Sequence, residues 1–155
     1  MSATPYQQET SEHIVAVQHW MDRAAINIKS RSDEHDSSKL EEPEASGFAA
    51  MTADKRLKDL TYGSEEYRAV LREHKPIIAH HYAQNDHHPE HFSGGVSEMS
   101  LLQLLEMLCD WKAATLRMKD GDLRRSIEHN QGRFGYSDEL KAILLATAAE
   151  LGMLE

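Results

Sequence analysis

The residues that could do chemistry fall at four places. His13 stands alone, His35 and Asp36 are adjacent, histidines crowd between His74 and His91, and Asp110 follows inside an apolar helical pattern. Imidazole is the commonest metal-ligating side chain, and carboxylates complete the shell of a hard or borderline divalent ion. Each place also has a plainer reading. A His-Asp pair arises by chance in a His-rich acidic chain. A single His on an apolar face, such as His13 or His81, packs as a satisfied boundary residue. The block HHPEHF (87–92) can be a solvated loop. Asp110 flanks the stripe of LLQLLEMLCDWKAAT, and a buried carboxylate there needs a cation, whether Arg, Lys or a metal. Jointly the places carry more than singly. Two imidazoles and two carboxylates from separate helices fill most of an octahedral shell, and the remaining histidines could hold a second ion or a phosphate.

The elements that must position these residues read as helices. Ser11 can cap a helix whose stripe is Ile14, Val15, Val17, Met21, Ala25 and Ile28; residues 1–10 read as a loose segment. The charged stretch after Ser30 reads as a helix end and loop, with Pro43 as a stop. Leu57 and Leu60 suggest a short helix. Ser64 opens another through Tyr67, Val70, Leu71 and His74, and Pro76 breaks or restarts it. Residues 84–97 read as a loop. Ser100 and Gln103 fit a capping box for a helix whose inward face is Leu101, Leu104, Leu105, Leu108, Trp111 and Thr115. A short helix from Leu123 to about His129 follows, then a turn over Gly132–Gly135. Ser137 caps the last helix, with Leu140, Ile143, Leu144 and Ala148 inward. No useful alternating run appears. The expectation is an all-α single domain over 1–155 with about five to seven helices.

Composition narrows the function. The chain has 155 residues and a net charge of −9, from 26 acidic and 17 basic residues. That argues against a long nucleic-acid backbone as partner, which needs a clustered basic face. Cys109 is the single cysteine, so no internal disulfide can form and a cysteine-based zinc site is disfavoured. No long apolar span and no signal-peptide pattern is present, and a cytoplasmic location is expected, in a bacterium or an infected host cell.

The order His, His-Asp, distant Asp resembles the HD-domain superfamily of metal-dependent phosphohydrolases. The matching residues are His13, His35-Asp36 and Asp110. Lys39, three after Asp36, and the block HHPEHFSGG are similar to features of the HD-GYP subgroup, although the Gly-Tyr-Pro end is missing. The blocks TYGSEEY, HHYAQNDHHPEHF, EMLCDWKAAT and RFGYSDEL also resemble a family of uncharacterised bacteriophage and bacterial proteins.

The resemblance implies an all-α HD-like bundle. It implies that His13, His35, Asp36 and Asp110 hold a first divalent ion, with His81, His87 and His88 as candidates for a second ion or the scissile phosphate. His80 and His91 are equally close in sequence. Lys39 would neutralise a phosphate oxygen, Glu90 or a histidine would move the proton, and Lys112 and Arg72 would meet the substrate. One or two ions of Mn, Fe, Co, Mg, Ni or Zn would serve. The expected activity is hydrolysis of a small phosphorylated substrate, a nucleotide first, by a monomer or small homo-oligomer without a membrane partner. Two rivals stand beside it: a di-iron oxygenase on the same scaffold, and a non-catalytic phage protein that binds a metal or nucleotide.

Overall fold

A computed structural model describes residues 4–54, 65–118 and 120–154. Among them the chain is all-helical, without a strand, as expected. The helices are α1 (Pro5–Glu34), α2 (Glu44–Ala53), α3 (Glu65–Glu73), α4 (Lys75–Gln84), α5 (Leu101–Leu116), α6 (Leu123–Phe134) and α7 (Asp138–Glu150). Short 3-10 turns stand at Ser37–Leu40, Pro89–His91 and Gly95–Glu98. None of the described helices is long and apolar enough to cross a membrane. The helix expected around Leu57 and Leu60, and the cap expected at Ser64, lie outside the described residues.

By its internal contacts the chain divides into two compact units, Met1–His35 and Asp36–Glu155. The first is built on α1. Thr4 closes a capping box: its hydroxyl accepts from the Gln7 backbone N–H, and the Gln7 side chain accepts from the Thr4 N–H. Pro5 in the first turn has no N–H to lose there. The helix therefore starts before the expected cap, and Ser11 lies inside it, donating to the Gln7 carbonyl. Helix continues into the charged run as far as Glu34, in keeping with the helix end expected there.

The second unit carries the core. Val96, Met99, Leu104, Met107, Leu108, Leu123, Ile127, Tyr136, Leu144 and Ala148 form one buried cluster. It joins α5 to α6 and α6 to α7. Ser100 makes the expected capping box with Gln103. The helix stripes are shifted from expectation at two places. Leu101 and Ile143 are exposed, and Met107 takes the core position instead. Helix α6 runs on past His129 to Phe134, so Gly132 is helical, and Gly135 ends it with φ 68, a conformation that favours glycine. Ahead of α6 the turn passes so close to α5 that a Cβ on Gly121 would meet the Thr115 carbonyl oxygen at 1.9 Å.

Around the other end of this unit, α2 packs against α4 and against the turn at Ser37–Leu40. Pro43, expected as a stop, stands as the N-cap of α2. Pro76 falls in the first turn of α4, so the chain breaks at His74 and restarts. A His74 Nε2–Asp54 Oδ2 contact of 3.3 Å ties that junction to the end of α2.

Candidate metal centre

Four residues of the second unit bring ligand atoms together: Asp36, His81, His87 and His88. One donor atom from each lies within 4.8 Å of all the others. They come from different elements. Asp36 caps the Ser37–Leu40 turn, His81 sits in the last turn of α4, and His87 and His88 follow in the loop that leads to Pro89. Asp36 has φ 56, a left-handed conformation that costs a non-glycine residue on the order of 1 kcal/mol and that Asp tolerates better than most.

Asp36 Oδ1 is 3.2 Å from His81 Nε2 and 3.6 Å from His87 Nε2. His81 Nε2 is 3.0 Å from His88 Nε2. Two imidazole Nε2 atoms thus face one carboxylate oxygen, and His88 Nε2 lies against one of them. His81 and His87 are only 3% and 2% exposed.

The far side of each ring decides what those Nε2 atoms can do. His81 Nδ1 is 2.9 Å from Glu44 Oε2, and His87 Nδ1 is 3.2 Å from Glu106 Oε1. An ionised carboxylate only accepts, so each Nδ1 carries the hydrogen and each Nε2 is left with its lone pair. Glu44 is fully buried, at 0% exposure. Burial alone would raise its pKa, but hydrogen bonds from His80, His81 and Ser38 outweigh this and hold it below the usual carboxylate range. His88 is pushed down to about 3, by burial first and then by His87 and His81, against the opposing pull of Asp110 and Asp36. A neutral His88 keeps one ring lone pair, as a metal ligand needs. Acceptors facing acceptors repel, and a cation between them removes the repulsion. Imidazole nitrogen with one carboxylate suits a borderline divalent ion, and carboxylate-held imidazoles are the usual second layer of such sites. The donor set fits a metal.

The support around His81 is continuous. Glu44 Oε1 takes His80 Nδ1 at 2.9 Å, and Oε2 also accepts from Ser38 Oγ at 2.9 Å. Asn85 Nδ2 donates to Ser38 Oγ at 2.8 Å and to the His81 carbonyl at 2.9 Å. Lys39 Nζ lies 2.5 Å from Asp36 Oδ2 and 5.2 Å from the Phe48 ring centre.

A cavity of about 520 Å³ opens beside the cluster. His88 borders both, and Asp110 lines the cavity. Arg68, Arg125, His129 and Arg133 bring basic groups to it, and Glu90, Asp120 and Asp122 bring acidic ones. On its wall Trp111 and Phe134 stack nearly parallel, 7° apart with centroids at 6.3 Å, and the Arg133 guanidinium lies 4.7 Å over Phe134.

The expected site is brought together only in part. Asp36, His81, His87 and His88 meet, and Asp110, on the neighbouring cavity, brings a carboxylate oxygen within 4.8 Å of one on Asp36. His13 does not join His35. They are 22 residues apart along α1 and its C-cap, which at 1.5 Å per residue is about 33 Å, too far to share an ion. His35, the C-cap of α1, offers a ring nitrogen within 4.8 Å of a carboxylate oxygen of the adjacent Asp36. His80 is on Glu44, and His91 Nδ1 bonds the Tyr82 carbonyl at 2.9 Å. Lys39 is engaged by Asp36 rather than aimed at a phosphate, and Glu90 is held by Arg133 at 2.5 Å rather than standing ready for proton transfer. Arg72 pairs with Glu65 on the surface. Lys112 is half-buried in α5 and does not line the cavity. The residues missed were Glu44, Glu106, Ser38 and Asn85. Glu44 sits in EEPEAS, which looks like a solvated acidic run, and only its place opposite His81 distinguishes it.

A family model described as "Family of unknown function (DUF5662)" matches residues 2–151. No curated protein and no solved structure matches the chain.

Proposed function

For this chain, which belongs to that family, we propose a metal-dependent phosphohydrolase acting on a small phosphorylated substrate, a nucleotide first. The observation that carries the reading is the convergence of His81, His87 and His88 on Asp36 beside a cavity furnished with arginine. A divalent ion bound there supplies Lewis-acid polarisation of a phosphoryl oxygen and a lowered pKa for water.

The chain's own residues do the rest. Glu44 and Glu106 fix the ring orientation of His81 and His87, so that Nε2 faces inward. Lys39 offsets part of the negative charge of Asp36. Arg68, Arg125 and Arg133 present guanidinium groups whose fork matches phosphate oxygens. Glu90 holds Arg133 at the cavity. The Trp111–Phe134 stack offers a flat apolar wall of the kind a nucleobase packs on. The net charge of −9 is compatible with such a substrate, because the arginines and a bound ion set the local potential.

Phosphate release tests the reading. Purified protein is loaded with Mn, Fe, Co, Ni, Zn or Mg and offered nucleoside monophosphates, triphosphates and cyclic nucleotides. Turnover should depend on metal and fall by roughly a thousandfold or more in Asp36→Asn and His81→Ala, because removing a ligand removes the ion's charge stabilisation. A metal-loaded protein that releases no phosphate from any of them overturns the reading.

A further inference from the structure

We propose that Asn130 selects the substrate by its base: the side-chain amide pairs with the edge of a nucleobase that lies on the Trp111–Phe134 stack. The inference rests on the proposed function for the cavity it uses, and names what that cavity recognises besides phosphate.

Asn130 lines the cavity and is only 7% exposed. Its amide offers two N–H donors and an oxygen with two lone pairs. Among the described residues it makes one side-chain hydrogen bond, from Nδ2 to Ser126 Oγ at 3.5 Å, which is at the outer limit for such a bond. A buried amide with most of its capacity unspent is costly to the fold, so its retention calls for a partner from outside the chain. The other buried polar side chain on this wall is differently placed: Thr115 donates to the Lys112 carbonyl at 2.7 Å.

The position of Asn130 indicates what that partner is. Ser126, Asn130 and Phe134 are four residues apart on α6, so they share one face, each about 6 Å along the axis from the next, and all three line the cavity. Phe134 marks the end nearest the candidate metal ligands, because it stacks on Trp111, the residue after Asp110. Its neighbour Arg133 pairs with Glu90, two residues after His88. Asn130 lies one turn further from that end. The arginines of the cavity suit phosphate, but a neutral amide does not compete with them for it. Beside a flat aromatic wall an amide donates and accepts side by side, which matches the edge of a planar heterocycle, as asparagine pairs with adenine in nucleic-acid recognition. A sugar phosphate has hydroxyls but no flat face for the stack to hold. The cavity, at about 520 Å³, has the size of a small-ligand site.

The test is calorimetric titration of the full chain, in buffer containing Mn, with the four common ribonucleosides and with ribose. These probes carry no phosphate to release, so binding is read apart from turnover. At least one nucleoside should bind roughly tenfold or more tightly than ribose. Asn130→Leu is close in size to the wild type, and Asn130→Ser stays polar but cannot donate and accept side by side. Each should lose that preference while keeping wild-type helix content by circular dichroism. A wild type that binds ribose as tightly as every nucleoside, or binds none of them, overturns the proposal, and so does a preference that a folded variant retains. Nucleoside binding that depends on Asn130, in a chain that releases phosphate from no nucleotide, supports the assignment of Asn130 while overturning the hydrolysis.

Discussion

At the scale of the residue, the account rests on which nitrogen of each histidine carries its proton. That was not legible in the sequence. The repeated histidines between 74 and 91 and the Asp after His35 did point to a metal-ligand set, and four of the residues named for it meet in space. What periodicity could not supply was the selection among neighbours. His80 and His81 are adjacent, and only the buried Glu44 turns one towards Asp36 while binding the other on its second oxygen. His13 failed for a reason of length: a single straight helix separates it from His35. Glu44 therefore carries a prediction. In Glu44→Gln the amide cannot accept from both imidazoles and Ser38, so His81 loses its fixed orientation. Metal affinity should fall about 10- to 100-fold, read by competition with a chromophoric chelator, while Ser46→Ala on the exposed side of α2 should leave it unchanged.

At the scale of the element, sequence and structure agree wherever a cap and a stripe coincide. Ser100 with Gln103, and Ser137 before Leu140 and Leu144, were readable because capping side chains announce helix starts. The start of α1 was missed because Thr-Pro-x-Gln lies in a polar segment without an apolar stripe to mark it. The extension of α6 was missed because Gly132 reads as a breaker, although only Gly135 adopts the left-handed turn. Behind that turn Tyr136 anchors α6 by donating to the Ile127 carbonyl. Burial pushes its hydroxyl up to about 12, from an ordinary value of 10.0. The unfolded chain then loses this proton first as pH rises. The stabilisation is complete below pH 10 and is lost progressively as pH rises towards and through 12. Tyr136→Phe should lower stability by about 1 kcal/mol at pH 8 and flatten the alkaline decline, as urea titrations at pH 8 and pH 11 would show.

At the scale of the whole molecule, the chain divides at His35. Asp36, His81, His87 and His88, and the cavity, belong to Asp36–Glu155. The composition foresaw an all-helical chain, and no residue count bears on where its contacts divide. The central claim is tested most directly by metal counting. Protein dialysed against Mn, Fe, Co or Zn and analysed by inductively coupled plasma mass spectrometry should hold one ion per chain in the wild type, and His81→Ala and His87→Ala should each lose it while keeping wild-type helix content. A wild-type chain that retains none of these ions, or variants that retain the ion in full, would contradict the account.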